Sequence, residues 1–390
     1  MKNKAPKPRL LVLTSTYPLG KNDATPVFVH ELASRLTDQY RVIVLAPHAR
    51  GLKKREYLDG VLVLRFRYAP SALETLCYGS GIMANLKNRP YLFFILPFFL
   101  LGLGIHLLAL LPKMDKVHAH WLIPQGVLVA LVKVLLAKPP PLLCTIHGGD
   151  WYAAPFLAPL KRWVINQSQT VAVVSSALQK EIPKAIVAPM GIDCKNRFLP
   201  GTAARDLSEL LFVGRLVPKK GLLMLIDALA LVLKKQPAMH LTIVGDGPEK
   251  EKAQKRACEL GIIKQVHFLG ALPNAALPFY YQRAGLFIAP SVVAANGDSE
   301  GLGLVVAESL ACLCPVVVSS TKAFQDLVIP NENGLVFTMG NALDLAEKIL
   351  WACNHPEAMQ KMAQKGYAKV LENFSWEKVS THYGNILRTL

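Results

Sequence analysis

Short apolar runs alternate with longer helical stretches along the whole chain. The runs are rich in Val, Ile, Leu and Phe and are bounded by polar or turn-forming residues, which is typical of strands. Strands that alternate with helices indicate an α/β fold with parallel sheets. In the first half the predicted strands are Arg9–Thr14, Arg41–Ala46, Val61–Phe66, Lys116–His120, Leu142–Ile146 and Thr170–Val174. In the second half they are Glu209–Val213, His240–Val244, Gln265–Leu269, Gly285–Ala289 and Pro315–Ser319.

The same pattern predicts how the chain is divided. The stretch Pro26–Leu36 has its apolar residues at the spacing of a helix with one buried face. The segment 195–206 holds proline, glycine and polar residues without a clear period, and we expect an interdomain linker there. Two doubly wound units in succession predict a ligand in a cleft, because the carboxyl ends of their strands face such a crevice.

One apolar run, Tyr91–Leu111, carries no formal charge over 21 residues. At about 1.5 Å per residue it is long enough to cross a bilayer. However, strand-like segments on both sides should share one sheet, which makes a true span the weakest interpretation. The alternatives are a buried or half-buried helix of the first domain, or a helix whose exposed apolar face enters the membrane interface. The adjacent basic residues favour contact with anionic lipid: Lys87, Arg89, Lys113 and Lys116.

The net positive charge lies almost entirely in the N-terminal half. The whole chain of 390 residues has a net charge of +17. Residues 1–200 hold 25 Lys and Arg against 10 Asp and Glu, while residues 201–390 hold 19 against 17. Such a basic half fits an anionic membrane surface, an anionic substrate or simple solubility. No nucleic-acid-binding module and no zinc spacing is evident, so we expect no nucleic-acid partner.

The cysteines and the N-terminus both predict a cytoplasmic protein. The seven cysteines form an odd set without a C-x-x-C pair, so buried free thiols in a reducing compartment are expected. The N-terminal sequence MKNKAPKPRLLVLTSTYP is basic but only briefly apolar. We therefore expect a first strand there and not a signal peptide.

A basic loop follows the first strand of the second half. Its sequence GRLVPKKG places Arg215 and Lys220 just before a predicted helix. Cations beside a helix N-terminus form an anion site, although a solvated basic loop has the same composition. The following loop, GDGPE, is an ordinary turn between strand and helix, with Pro248 predicted at the first helical position.

The stretch DSEGLGLVVAES combines a glycine-rich helix start with two carboxylates, Glu300 and Glu308. The backbone N–H groups of Leu302, Gly303 and Leu304 are expected to face the cleft at that helix start. Together with the basic loop they can hold a diphosphate. The two glutamates must then accept hydrogen bonds from hydroxyl groups on either side of it, unless they are satisfied by local caps or solvent. A hydroxyl-rich group on each side of a diphosphate describes a nucleotide-sugar.

At this point the sequence resembles the retaining group 1 glycosyltransferases, also called glycosyltransferase family 4. The resemblance lies in GRLVPKKG, LTIVGDGPE, VHFLGAL, FIAPS and the E-x7-E pair of EGLGLVVAE, in that order, and in TSTYPLGKNDATPVFVHELASRL, VHAHWLIPQG, LCTIHGGD and APMGID of the first half. It implies two doubly wound Rossmann-like α/β domains facing a central cleft, the GT-B architecture. The expected parts are an acceptor domain at 1–198, a donor domain at 199–372, and a final helix at 373–390 that crosses back to the first domain.

The resemblance implies roles for the residues of the second half. Glu300 would contact the hydroxyls of the donor sugar and act in catalysis, and Glu308 would bind the ribose diol. Arg215 and Lys220 would neutralise the distal phosphate as the leaving group departs. Leu272 would meet the base through its main chain. The backbone N–H groups of the helix start would bind the sugar and diphosphate.

In the first half the resemblance points to Gly20 and His147. Gly20 would let the backbone approach the diphosphate, and His147 would be a catalytic residue at the reacting side of the sugar. Two further histidines, His118 and His120, alternate on one strand. We expect both to be structural, with His120 the better candidate for a cleft residue.

The chemistry expected from these residues is metal-independent. No Asp-x-Asp pair is present, so a metal bound to the diphosphate is not expected, and the cations with the helix terminus take over its charge role. No cofactor is expected, because the nucleotide-sugar is a substrate. The resemblance implies retention at the anomeric carbon. A front-face route, in which the leaving phosphate helps to deprotonate the acceptor, is a hypothesis that the lack of an obvious nucleophile favours.

The acceptor is inferred from charge and hydropathy. A basic first half with an apolar helix favours a polyprenyl-linked or polysaccharide-precursor acceptor at the cytoplasmic face of the membrane, in cell-envelope glycan synthesis. A small soluble acceptor is the alternative. Two other classes are a nucleotide-sugar epimerase of similar architecture, and a non-catalytic sugar-binding protein. The last predicts a signal peptide and no cations for a leaving group.

Overall fold

The chain folds into two α/β units. The computed structural model describes residues 6–20, 27–79 and 81–390, except for the side chain of Ala84. Unit 1 contains the chain up to Val174 together with Ile182–Ala188 and Ser380–Leu390, and unit 2 contains Ser175–Glu181 and Pro189–Val379. The domain boundary near residue 198 stays a prediction.

Unit 1 is built on a sheet of eight strands that is parallel except at one edge. Its order is β3-β4-β2-β1-β5-β6-β7-β8, and only β3 and β4 pair antiparallel. The strands are β1 (Arg9–Leu13), β2 (Arg41–Pro47), β3 (Arg55–Leu58), β4 (Val61–Phe66), β5 (Lys116–His120), β6 (Leu142–Ile146), β7 (Thr170–Val173) and β8 (Ile186–Val187).

Helices connect these strands. They are α1 (Phe28–Arg35), α2 (Ile82–Asn88), α3 (Leu96–Leu110), α4 (Val127–Val134), α5 (Gly149–Tyr152) and α6 (Ala158–Gln167). A further helix, α7 (Ser176–Glu181), belongs to unit 2. In α1 the buried residues Val29, Leu32 and Ala33 are those that the helical period predicts. The start of the predicted helix, Pro26, lies outside the described residues.

Unit 2 has a fully parallel sheet of six strands in the order β11-β10-β9-β12-β13-β14. The strands are β9 (Asp206–Val213), β10 (His240–Val244), β11 (Val266–Gly270), β12 (Ala284–Ala289), β13 (Val316–Ser319) and β14 (Leu335–Phe337). The helices are α8 (Leu222–Leu233), α9 (Lys250–Glu259), α10 (Leu277–Arg283), α11 (Leu304–Ala311), α12 (Ala342–Asn354) and α13 (Pro356–Asn373). The last helix, α14 (Trp376–Arg388), begins in unit 2 and ends in unit 1.

Each strand predicted from the apolar runs is present, with its ends within three residues of the expected ones and in several cases identical to them. The runs are strands because both faces of a parallel sheet are covered, so that consecutive positions such as Leu10–Leu13 are all buried. Three short strands are missing from the prediction: β3, β8 and β14. Pro248 is also placed differently, because α9 begins at Lys250 with Glu249 as its N-cap.

The long apolar run forms a short 3₁₀ turn, Pro90–Phe94, followed by α3 and a second turn, Leu111–Lys113. By length and composition alone, the helical segment Pro90–Lys113 could cross a membrane. The strands before and after it, β4 and β5, are both part of the sheet of unit 1. One side of α3 is buried against this sheet and the other side is exposed. The helix is therefore half-buried, as the first interpretation predicts, and it also has the exposed apolar side that the second one requires.

Candidate functional site

The predicted anion site of unit 2 is built from two loops that follow neighbouring strands. The loop after β9 carries Lys219 and Lys220, and its backbone is tied to the loop after β12 by a hydrogen bond from Val292 N–H to Lys219 C=O of 2.8 Å. Gly221 ends the lysine turn at φ +67°. A Cβ atom at this position would lie 1.9 Å from the carbonyl oxygen of Pro290. The close approach of the two loops therefore requires glycine.

This contact predicts a strong effect of Gly221→Ala on stability. We expect the free energy of unfolding to fall by about 3 kcal/mol, because left-handed backbone strain adds to a backbone collision. The matched control is Gly261→Ala, at φ +72° with no atom within 4 Å of the added Cβ. That variant should lose only about 1–2 kcal/mol. Denaturant unfolding of both proteins checks this, and equal losses would show that the contact with Pro290 relaxes at little cost.

Two ion pairs connect the lysine turn to the acidic loop before α11. Lys219 Nζ lies 2.9 Å from Asp298 Oδ1, and Lys220 Nζ donates to Glu300 Oε2 at 2.6 Å. Burial acts to raise the pKa of Glu300, but Lys220, Lys219 and Arg215 together outweigh it and lower this pKa to about 2. Glu300 is therefore a carboxylate at any physiological pH and can only accept hydrogen bonds.

The second glutamate has the opposite electrostatic character. Glu308 lies inside α11, is buried, and accepts a hydrogen bond of 2.9 Å from the hydroxyl of Tyr281. Burial raises the pKa of Glu308 to about 7, against the lowering effects of the Tyr281 hydrogen bond, Arg197 and Lys220. The two carboxyl groups of the E-x7-E pair thus differ widely in acidity, because cations face Glu300 while apolar surroundings dominate at Glu308.

The start of α11 has the backbone shape expected of an anion-binding terminus. Gly303 is its N-cap at φ +79°, and a Cβ atom there would lie 2.3 Å from Phe324 Cε1. The first N–H groups of any helix lack acceptors within the helix, and its dipole favours negative charge there. The predicted backbone donors Leu302, Gly303 and Leu304 occupy this turn, beside the ion-paired Glu300.

The remaining predicted residues of unit 2 are less closely connected to this group. Arg215 is exposed in the lysine loop and acts on the pKa of Glu300. Leu272 is half-buried in the loop after the edge strand β11. It shares the carboxyl edge of the sheet with the lysine turn, since every strand of this sheet runs parallel. The GDGPE loop packs against the lysine loop, since Asp246 C=O accepts a hydrogen bond of 2.9 Å from Leu216 N–H.

In unit 1 the predicted His147 stands at the end of a row of histidine rings. Its Nε2 lies 3.0 Å from His120 Nδ1, and the two rings are stacked with centroids 5.2 Å apart. Behind them His118 is 4.2 Å from His120, centroid to centroid, and stacks on Tyr383 at 5.5 Å. Burial lowers the pKa of His147 and of His118 to about 3, and that of His120 well below its usual value, so all three rings are neutral at pH 7.

This row changes the interpretation of His120. We predicted it as the better cleft residue of its strand, but the side chain is fully buried and lies behind His147. His147 is only half-buried. The rings of Phe28 and Trp121 lie near it, at centroid distances of 5.1 and 5.0 Å. His120 therefore positions His147 and is not itself available to a ligand.

Asp150 holds the two loops that carry this row. Its Oδ1 accepts the backbone N–H of His147 at 2.9 Å, and its Oδ2 accepts that of Leu122 at 2.9 Å. Burial raises the pKa of Asp150 to about 6, although these backbone bonds and Lys161 lower it. One carboxylate thus fixes the chain after β5 to the chain after β6. The spacing of His147 and Asp150 signals this local bond, but nothing in the sequence signals Leu122 as the other donor.

Gly20 and His147 belong to unit 1, and the other predicted site residues belong to unit 2. Gly20 is exposed after β1, and a Cβ atom there would meet nothing within 4 Å. Packing against the described residues of unit 1 therefore does not demand glycine at this position. Residues 21–26 of the same predicted motif lie outside the described residues.

One group of potential metal ligands occurs among the described residues, and it lies away from the lysine turn. Asp206, Glu209 and His240 place one ligand atom each within 4.8 Å of one another. They lie in the N-terminal halves of β9 and β10, toward the opposite edge of the sheet from Glu300. Arg283 Nε already lies 3.2 Å from Glu209 Oε2.

Family models match both halves of the chain. The model described as glycosyl transferases group 1 matches residues 201–369, and the model described as glycosyltransferase family 4 matches residues 26–195. The first range contains the lysine turn, Glu300 and Glu308, and the second contains His147. The two models together thus cover the candidate residues apart from Gly20.

Individual proteins and structures agree with these matches. A GDP-mannose-dependent α-(1-6)-phosphatidylinositol monomannoside mannosyltransferase of Mycolicibacterium smegmatis is 30% identical over 268 residues, which cover 63% of this chain and 69% of that protein. An N-acetyl-α-D-glucosaminyl L-malate synthase of Bacillus anthracis is 23% identical over 292 residues, covering 70% and 74%. The solved structure of sucrose-phosphate synthase from Thermosynechococcus elongatus aligns with a TM-score of 0.77 at 20% identity, over 98% of this chain and 99% of that one.

Proposed function

Because this chain belongs to the group 1 and family 4 glycosyltransferases of GT-B fold, which use nucleotide-sugar donors, we propose that it transfers a hexose with retention to a lipid-linked or polysaccharide-precursor acceptor. The product would serve cell-envelope glycan synthesis. The observation that carries the proposal is the group formed by Lys220, Glu300 and the start of α11. It combines a cation, free backbone donors and a permanent carboxylate, which together match a sugar joined to a diphosphate.

The donor is held by complementary groups of unit 2. Lys220 and Arg215 meet the distal phosphate together with the backbone of Leu302, Gly303 and Leu304. The ionised Glu300 accepts hydrogen bonds from the sugar hydroxyls. When the donor binds, these bonds replace the ion pair with Lys220, whose ammonium group then contacts the phosphate. These assignments rest on the ion pair of 2.6 Å, which shows that both side chains reach the same point.

The other donor contacts follow the same assignment. Glu308 accepts the ribose diol, and the main chain of Leu272 meets the base. Gly20 and His147 keep their predicted roles toward the diphosphate and the sugar. The role of His147 is supported by its neutral ring, which is positioned by His120 and by the hydrogen bond from its backbone N–H to Asp150.

Bond breaking places negative charge on the distal phosphate of the leaving nucleotide. Lys220 and Arg215 stabilise that charge, and preorganised cations of this kind contribute strongly to rate because they need no rearrangement during the reaction. We propose that no bound metal takes this role. The leaving phosphate accepts the acceptor's proton on the same face of the sugar. Mass spectrometry of the protein during turnover tests this route, and a sugar covalently attached to Glu300 or any other side chain would refute it.

The proposed location is the cytoplasmic face of the membrane, with the protein bound peripherally. Its support is the basic N-terminal half and a relative whose acceptor is a phosphatidylinositol monomannoside. A small soluble acceptor is the second candidate, favoured by the similarity to a synthase that joins N-acetylglucosamine to malate.

The test of this function is a donor screen followed by product analysis. UDP-, GDP- and ADP-sugars are compared by thermal shift and by hydrolysis, and the donor that binds is then offered a polyprenyl-diphosphate-linked sugar or a small soluble acceptor. We expect free nucleoside diphosphate and a glycosylated lipid-linked product. Transfer to the soluble acceptor alone would establish the second candidate, and an isomerised sugar without transfer would identify an epimerase.

The two glutamates should separate into binding and turnover. Glu308→Ala is expected to weaken nucleotide binding by about tenfold, because it removes hydrogen bonds to a charged acceptor. Glu300→Gln is expected to lower kcat by about tenfold with little change in nucleotide affinity. Calorimetry with the nucleoside diphosphate and steady-state kinetics measure the two effects. Small and equal effects of both changes would reject these roles.

Nucleotide affinity should also depend on pH through Glu308. The carboxylate accepts both ribose hydroxyls only when it is deprotonated, so affinity should rise as the pH increases through about 7, the pKa of Glu308. Tyr281→Phe removes a hydrogen bond that lowers this pKa and should move the midpoint of the affinity profile to higher pH. Calorimetry between pH 6 and 8 follows both profiles. A midpoint that stays in place in the Tyr281 variant would contradict the assignment of the titrating group.

A further inference from the structure

One side of α3, together with the end of the 3₁₀ turn before it, is apolar and exposed. Its residues, together called the α3 face, recur at intervals of four and three: Phe94, Phe98, Leu101, Ile105 and Leu108. Phe94 is 79% exposed, and the others are between 47% and 59% exposed. The stripe from Phe98 to Leu108 is about 15 Å long. An exposed helix surface in a water-soluble protein normally carries polar residues, which are missing from this one.

The opposite side of the same helix fixes it to unit 1. Its residues are fully buried: Leu92, Phe99, Leu103, Leu107 and Leu111. The ring of Phe99 lies 5.3 Å, centroid to centroid, from both Phe66 and Tyr68 at the end of β4. Gly102 sits so close that an added Cβ would lie 2.9 Å from Arg67 C=O. The helix is therefore packed into the core of unit 1 on this side, and crossing a bilayer would require it to break these contacts.

The surroundings of the α3 face are basic. Between Glu74 and Asp150 the chain has one acidic residue, Asp115, whose Oδ2 accepts the backbone N–H of Arg9 at 2.7 Å. The same stretch has exposed cations on both sides of α3 and after α4: Lys87, Arg89, Lys113 and Lys138. The neighbouring helix α4, which packs against α3, adds exposed apolar side chains at Leu131 and Val134.

We propose that the α3 face docks unit 1 on an anionic lipid bilayer, with α3 lying parallel to the membrane plane. Its aromatic and aliphatic side chains enter the acyl boundary, while the four cations meet the anionic headgroups. This inference rests on the lipid-linked acceptor of the proposed function and identifies the surface that brings the enzyme to it.

The composition of the α3 face favours lipid over a protein partner. Interfaces between proteins that also exist separately are only about as apolar as the rest of a protein surface, and their rims are polar. Here the exposed stripe is wholly apolar, and its flanks carry four exposed cations against one acidic residue, Asp115. A second copy of this chain would bring the same cations together, which disfavours a symmetric dimer through this face.

Vesicle flotation with a matched pair of double variants tests the proposal. Phe98→Asn with Leu101→Asn changes two residues of the α3 face, each 59% exposed. Phe279→Asn with Leu207→Asn changes the same residue types in unit 2, each 60% exposed. We expect the full-length protein and the unit 2 variant to float with vesicles of phosphatidylcholine and phosphatidylglycerol. The α3-face variant should show at least about a tenfold lower partition coefficient.

The charge contribution is measured separately. Changing Lys87, Arg89 and Lys113 to Gln should lower binding to the anionic vesicles at least several-fold and weaken its salt dependence, with Lys138 left in place. Binding of the α3-face variant equal to that of the unchanged protein would overturn the proposal. So would failure of the unchanged protein to float, or lipid-free, concentration-dependent dimerisation that the α3-face variant loses.

Two further measurements separate this proposal from the proposed function. Donor hydrolysis and thermal shift with the nucleotide should be unchanged in the α3-face variant, whereas transfer to an acceptor embedded in vesicles should fall with its partition coefficient. Normal flotation without transfer to any lipid-linked acceptor would refute the proposed acceptor and leave the docking surface standing. Normal transfer at the vesicle surface by the non-floating variant would refute the docking surface alone.

Discussion

Replacement of Lys220 by alanine is expected to lower kcat by a factor on the order of 10²–10³, with a much smaller change in donor affinity. The reason is that its ammonium reaches the point where charge develops on the leaving phosphate, and water that replaces it must reorganise during the reaction. The variant also leaves the half-buried Glu300 without its partner at 2.6 Å. Steady-state kinetics with the donor identified by the screen measure the effect.

The neighbouring lysine supplies the control. Lys219 is paired with Asp298 and with Ser299 C=O, so Lys219→Ala removes a cation of the same turn that is directed at the loop and not at the phosphate. We expect it to lower kcat less than about tenfold. Equal losses from both lysines would mean that the turn acts through its structure. A double variant with Glu300→Gln then separates the roles, because a lysine that serves only to hold Glu300 has no further effect once Glu300 is neutral.

Acidification is expected to destabilise unit 1 strongly, because its row of histidines is buried in the neutral form. Each of the three has a pKa lowered in the folded protein, so the unfolded chain binds protons more readily. Their stabilising contribution is complete above about pH 6.5 and is lost as the pH falls through that value toward about 3. For His118 alone the loss at pH 5 is about 2 kcal/mol, and His120 and His147 add to it in the same direction.

Denaturant unfolding at pH 7 and pH 5 checks this dependence. His118→Gln preserves a hydrogen-bonding group near Thr145, whose hydroxyl lies 2.8 Å from His118 Nε2. The variant should lose stability at pH 7 but should be about 2 kcal/mol less sensitive to the change of pH. His355→Gln, at an exposed position in unit 2, controls for the loss of any histidine and should leave the pH dependence near that of the unchanged protein. Identical pH dependence in all three proteins would reject the buried neutral row.

The sequence predicts the sheets well because parallel strands are buried on both faces. Runs such as Leu142–Ile146 are apolar at almost every position, and the loops between them contain turn residues. Edge strands lack this continuous apolar run. In β3 the sequence REYL is half polar, and burial alternates along it, so no apolar run is visible. The Asp59-Gly60 pair that links β3 to β4, with φ values of +46° and +81°, is a typical hairpin signal that could have revealed it.

The candidate site is predictable only in part, because local features are visible in the sequence and long-range contacts are not. Strand ends and helix starts are local features, so the positions of Lys220 and Glu300 on neighbouring loops follow from the chain itself. Their pairing does not follow, because 80 residues separate them. The Tyr281 hydroxyl bonded to Glu308 gives no signal either, since a tyrosine on an amphipathic helix is equally typical of simple packing. Side-chain direction depends on tertiary contacts, and these decide which carboxyl group is acidic and which is not.

The position of the last helix determines which of the two units can finish folding first during synthesis. Ser380–Leu390 complete unit 1, where Tyr383 stacks on His118 and donates a hydrogen bond of 2.8 Å to Ala188 C=O. Residues 189–379 must be translated before these contacts can form, which takes on the order of 10–40 s at the usual rate of elongation. The first unit to leave the ribosome is thus the last to be finished. Until then the incomplete side of unit 1 is accessible to chaperones, and a premature stop near residue 379 would leave a folded second half attached to an unfinished first one.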